Sequence, residues 1–180
     1  TPVRLSSGAI ARVVRNNPAA LHSPLVRIMR TAAGLRHRGG AMVQPWADPT
    51  PDTAARARVT LKYGFRVEKA PAGPCHLVME DPRSFKAALN GKRLDTSRDA
   101  GWWIDPSFRR VKVPAAAFRK GANELVLETG YGPRSGLECA YMTGEFGVRV
   151  EGSTAVVTGV PASLAPGDWR TQGFPFYSGA

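Results

Sequence analysis

No stretch of this chain approaches the run of about 18 apolar residues that a membrane-spanning helix requires, so no membrane span is expected. The opening residues Thr1-Pro2-Val3-Arg4 carry no apolar signal core, and periplasmic, extracellular and cytoplasmic placements all stay open. Cysteine is scarce: Cys75 and Cys139 stand far apart in apolar stretches, with no Cys-x-x-Cys pair. That pattern speaks against a metal module and fits either buried free thiols or one disulfide. His22, His37 and His76 are scattered, with no nucleophile attached to them, so a catalytic triad has no support. Acid is missing from the front: the first forty residues hold seven arginines (4, 12, 15, 27, 30, 36 and 38) and neither Asp nor Glu, within a chain of net charge +11. The basic excess is therefore concentrated in an N-terminal segment. A phosphate backbone needs a contiguous basic face, and the rest of the chain offers none in its sequence, so a nucleic-acid partner is not expected of it.

What is present reads as strands. Gly 19 and Pro 15 in 180 residues, with 43% hydrophobic residues, suit a real core built from short elements and many turns. Val59, Leu61, Tyr63, Phe65 and Val67 alternate with polar residues or glycine, the period of a half-buried strand. Cys75 to Met79, Phe85 to Leu89, Arg109 to Val113, Leu125 to Thr129, Leu137 to Met142, Phe146 to Val150 and Ala155 to Val160 supply further strands. Ala115 to Lys120 is expected to form one helical turn. Short strands at this spacing, without helices between them, predict an all-β antiparallel sandwich.

Ser23-Pro24 followed by Leu25, Ile28, Met29 and Ala32 predicts a short amphipathic helix with those four residues on one face, ended by Gly34. A further helical turn is expected over Ala9 to Arg15. This extension reads as a helical linker, as an arm for an anionic or membrane surface, or as a segment without order of its own. The Gly- and Pro-rich connection from His37 to Asp52 places a boundary there. The division is then an extension over 1–54, a sandwich domain over 55–165 and a lead-in to following chain over 166–180.

The stretch Phe85 to Glu128 carries the most information. Asn90-Gly91-Lys92 reverses the chain after one strand, and Gly121-Ala122-Asn123 feeds another with Leu125 and Leu127 inward and Glu124, Val126 and Glu128 outward. At these residues the chain resembles the sugar-binding, galactose-binding-like jelly-roll domain of glycoside hydrolase family 2 and its relatives. The resemblance extends to Gly144-Glu145-Phe146-Gly147-Val148 and to Trp169-Arg170-Thr171-Gln172-Gly173-Phe174-Pro175-Phe176-Tyr177-Ser178-Gly179, which look like two segments of a bacterial glycosidase-like subgroup. It covers roughly Val59 to Tyr177 and implies a jelly roll that binds carbohydrate beside the catalytic domain of the same parent polypeptide. In that family the catalytic acids lie in a separate barrel, so this chain alone is not expected to hydrolyse glycosides.

The candidate chemistry follows. Trp102, Trp103, Asp105, Trp169 and Tyr177 are the expected ligand contacts, since a pyranose lays its C–H face on an aromatic ring while nearby polar groups bond its hydroxyls. If Trp102 and Trp103 lie on a strand, they point to opposite faces, and Asp105 shares the face of Trp103. Core or interface packing is the competing account of the pair. Glu138 and Glu145 are the carboxylates that would suit glycoside hydrolysis, with loop or interface roles the plainer expectation. No cofactor is implied, although Asp95, Asp99 and Asp105 could offer oxygens to a structural calcium. Gly130 to Gly136 lacks the Gly-x-Gly-x-x-Gly spacing of a phosphate cradle and reads as a hairpin loop.

Overall fold

The computed structural model describes residues 24–36, 52–137, 140–152 and 154–176, with backbone alone at 3–4 and 24–27. The helical turn expected at Ala9 to Arg15, the connection over 37–51, Glu138, Cys139 and Tyr177 lie outside the described residues.

Two sheets pack face to face, as the strand spacing predicts. The larger contains β1 (Val3–Arg4), β2 (Ala57–Val67), β4 (Phe85–Leu89), β5 (Lys92–Leu94), β8 (Gly121–Tyr131), β10 (Gly147–Glu151) and β11 (Thr154–Thr158). Its order is β10-β11-β2-β8-β4-β5, with β1 also against β2. The smaller sheet runs β6-β7-β3-β9, from β3 (Cys75–Glu80), β6 (Trp102–Trp103), β7 (Asp105–Val113) and β9 (Tyr141–Thr143). Most pairs are antiparallel. The exceptions share one edge of β2, where β1 and β11 both pair in parallel, Val3 opposite Val59 and Val156 opposite Arg66. Of the described residues in the strand expected over Leu137 to Met142, Tyr141 and Met142 lie in β9, and the helical turn expected at Ala115 is a short 3₁₀ turn over Ala115–Ala117.

Period-two burial places the core. Val59, Leu61 and Val67 from β2, Leu125 and Leu127 from β8, and Ala87 and Leu89 from β4 meet Cys75, Leu77 and Met79 from β3 and Val111 and Val113 from β7. Burying each large side chain contributes about 1.5–3 kcal/mol, and the alternation ensures that all of them point between the sheets. Cys75 is a buried free thiol. Burial first, and then the Glu145 charge, push its pKa up.

Helix α1 (Pro24–Ala32) begins at the expected proline, and its end turns on Gly34 at φ +67°. Carbonyls of the last turn are met there, with Ala33 N–H donating to Met29 O at 3.0 Å and Leu35 N–H to Arg30 O at 2.8 Å. Its buried face differs from the expected one. Met29 is 1% exposed and lies in the sandwich core, whereas Ile28 is 59% exposed. Arg30, also buried, donates to Arg36 O at 2.7 Å and to Pro133 O at 3.3 Å, which ties α1 to the loop after β8.

The two turn motifs prove to be one structure. Asn90 and Gly91 take φ +53° and +80°, the primed turn that joins β4 to β5. Asn90 Nδ2 donates to Asn123 Oδ1 at 2.7 Å and to Ala117 O at 2.8 Å, and Glu124 N–H donates to Asn90 Oδ1 at 3.0 Å. Asn123, 4% exposed, also accepts from Arg119 N–H at 3.0 Å and donates to Arg119 O at 2.7 Å and Gly121 O at 2.9 Å. Every donor and acceptor site of that amide is occupied.

Candidate functional site

The outward face of the smaller sheet is built by the same alternation that fills the core. Leu77, Met79, Val111 and Val113 point inward, so His76, Val78 and Glu80 on β3 and Phe108, Arg110 and Lys112 on β7 point out. Register sets them side by side: Glu80 opposite Phe108, Val78 opposite Arg110, His76 opposite Lys112. On the other side of β3, Tyr141 stands opposite Val78 and Thr143 opposite His76.

Three aromatic rings gather on this face. Tyr141 lies 5.5 Å from Trp103 at an interplanar angle of 55° and 5.7 Å from Phe108 at 79°, edge to face. Phe108 and Tyr141 come from strands on either side of β3, and their rings meet across it. Val78 beneath is fully buried although it faces away from the core. Trp103 reaches Tyr141 from the opposite edge strand, because the chain turns tightly after it. Ile104 adopts φ +64°, a left-handed conformation that a β-branched residue rarely takes, and the ladder shifts register between Trp102 and Trp103.

The expected site residues divide. Trp103 joins the ring cluster. Trp102 pairs in register with Arg109 and is 52% exposed at the sheet edge. Asp105 does not lie two residues along the strand of Trp103, because the reversal at Ile104 places it on the facing strand, opposite Trp103. Its Oδ1 accepts from Ser107 N–H at 2.8 Å and Ser107 Oγ at 2.7 Å, which hold the carboxyl below its usual range. Trp169 opens a 3₁₀ turn, Trp169–Thr171, capped by Asp168. The tail containing it is tied to β10 by Val148 N–H donating to Gly173 O at 2.7 Å. The loop from β9 to β10 spans only Gly144 to Phe146, which places β9 and β10 on one flank. Trp102 and Trp103 lie on β6, the opposite edge strand of the smaller sheet from β9. Sequence reasoning missed Arg110 and Phe108 as site residues, although their alternation with Val111 and Val113 already marked them as outward.

The other acids serve turns. Asp95 accepts from Ser97 Oγ at 2.6 Å, and Asp99 accepts from Gly101 N–H at 2.9 Å and pairs with Arg109. Together with Asp105, these are the aspartates considered for calcium. Among the described residues no group of three His, Cys, Asp or Glu side chains could hold a metal ion. Glu145 lies exposed in the β9–β10 turn over Gly73, where a Cβ would meet its Oε2 at 2.7 Å.

The face is electrostatically positive. Burial, then Arg110 and Lys112, lower the pKa of His76, so it stands neutral at pH 7. Glu80 is the carboxylate among the outward positions of β3, β7 and β9, and it accepts from Ser107 Oγ at 3.4 Å. Arg110 Nε is buried and has no hydrogen-bond partner among the described residues. Comparison of the chain with protein-family models and with curated proteins finds no match.

Proposed function

We propose that this chain is a noncatalytic carbohydrate-binding domain, with galactose-binding-like jelly-roll character, accessory to the catalytic domain of a bacterial glycoside hydrolase. One observation carries the reading: Trp103, Phe108 and Tyr141 converge on the outward side of the smaller sheet, bordered by His76, Glu80, Arg110 and Lys112. Aromatic rings take the C–H faces of a pyranose, and the bordering donors and acceptors take its hydroxyls. The three aspartates considered for calcium, Asp95, Asp99 and Asp105, are each engaged in their own turns.

Calorimetric titration of the folded chain against a panel of neutral and acidic oligosaccharides tests the proposal. At least one should bind, and Trp103→Ala should weaken it by about tenfold or more, about 1.4 kcal/mol. Lys62→Ala, on the outward side of the larger sheet, should leave the affinity unchanged. Binding indifferent to Trp103→Ala, or an absence of binding across the panel, would reject the proposal and favour a packing module without ligand.

A further inference from the structure

The two sheets repeat one arrangement, and it is complete in only one of them. On the outward side of the larger sheet Val156 is fully buried, and its register neighbours are Arg66 on β2 and Arg149 on β10. Arginine stems cover apolar surface while the guanidinium stays in reach of water or a partner. Both arginines there have carboxylates. Arg149 Nη2 lies 2.5 Å from Glu68 Oε1 and 2.8 Å from Glu151 Oε1, and Arg66 Nη1 lies 3.2 Å from Glu151 Oε2.

On the smaller sheet Val78 is equally buried between Arg110 and Tyr141. Here the arginine has no carboxylate among the described residues, and its Nε is enclosed without any acceptor. Glu80 sits further along the same face and is engaged by Ser107. Lys112, the next outward residue of β7, adds a second cation. A guanidinium without a carboxylate among the described residues, on the face that carries the rings, is a fork without its anion.

We propose that the natural ligand of this face is an acidic glycan whose uronic-acid carboxylate pairs with Arg110 while the sugar ring lies on the aromatic cluster. The inference rests on the carbohydrate reading above and names its substrate class. A nucleic acid would need a continuous basic track for successive phosphates. This face offers two cations and one acid, which suits one carboxylate on one sugar ring.

The test compares uronate trisaccharides (galacturonate, glucuronate and mannuronate) with their neutral hexose counterparts, and with a ten-residue oligothymidylate, by calorimetry at two salt concentrations. At least one uronate should bind tenfold or more tighter than its neutral counterpart, with the difference shrinking at high salt. Arg110→Gln should abolish the difference by weakening uronate binding far more than neutral binding, Arg110→Lys should retain part of it, and Trp103→Ala should weaken both. Thermal melts of each variant establish that it is folded. Neutral and acidic sugars binding alike, with Arg110→Gln silent, would overturn the anionic assignment and leave the carbohydrate reading standing. No sugar binding, with or without capture of the oligothymidylate, would overturn both.

Discussion

Replacing Asn123 by alanine should destabilise the fold more than any substitution of an exposed strand residue. The amide is 4% exposed and makes four hydrogen bonds, between 2.7 and 3.0 Å, to Asn90, Arg119 and Gly121. Each such bond contributes about 1 kcal/mol net, and a buried partner left without its bond costs about 1–3 kcal/mol. Water entering the space recovers some of this. The expected loss is about 3–5 kcal/mol, a large part of the roughly 5–15 kcal/mol that stabilises a domain. Equilibrium urea unfolding reads it directly: with a slope of about 2 kcal/mol per molar, the midpoint should fall by about 2 M. Asn123→Asp should be no milder, because a carboxylate still accepts from Asn90 and Arg119 but confronts the carbonyls of Arg119 and Gly121 without a donor. Asn90→Gly keeps the positive φ of the turn while removing its side-chain bonds. The Asn90→Gly, Asn123→Ala double variant should lose less than the sum of the two, since they share one bond. Ala122→Ser, at the exposed neighbouring position, should change stability by less than about 0.5 kcal/mol. A loss below about 1 kcal/mol for Asn123→Ala would refute the claim that this amide joins the two turns.

Three further outcomes are expected. Ile104→Gly should raise stability by about 0.5–1 kcal/mol in thermal melts, because it relieves a β-branched residue at φ +64° that is 75% exposed and has little packing to lose; an unchanged or lower melting temperature would count against strain there. Gly147→Ala should cost about 1–3 kcal/mol in urea unfolding, since its Cβ would lie 2.7 Å from both Gly159 O and Thr158 Oγ1. The pKa of His76 is depressed from 6.5 by burial and by Arg110 and Lys112, so the unfolded chain binds the proton more readily. Its contribution is complete above the unfolded pKa and is lost as pH falls through it towards the folded pKa. His76→Gln should therefore flatten the stability profile between about pH 7 and 5. A slope identical to that of the parent would show that His76 titrates normally.

Period-two alternation was enough to identify most of the strands and the inward residues of β2, β7 and β8, because a strand sends successive side chains to opposite faces wherever it sits. The Asn90-Gly91 reversal was equally legible, since few residue pairs accept positive φ in succession. The boundary cases went otherwise. Leu25, Ile28, Met29 and Ala32 share a helical face in sequence, yet only docking against the sandwich decided that Met29 is buried and Ile28 exposed. Trp103 and Asp105 looked like neighbours on one strand until the left-handed turn at Ile104 set them across from each other. The site is the clearest case. Alternation marks Phe108 and Arg110 as outward, but that Tyr141 meets Phe108, that Trp103 reaches Tyr141, and that Arg110 lacks a carboxylate among the described residues while Arg149 has two all follow from which strands pair and in what register. Local sequence dictates backbone period and turn geometry through short-range sterics, whereas pairing partners are chosen by the burial of the whole sandwich, across separations that no local pattern encodes.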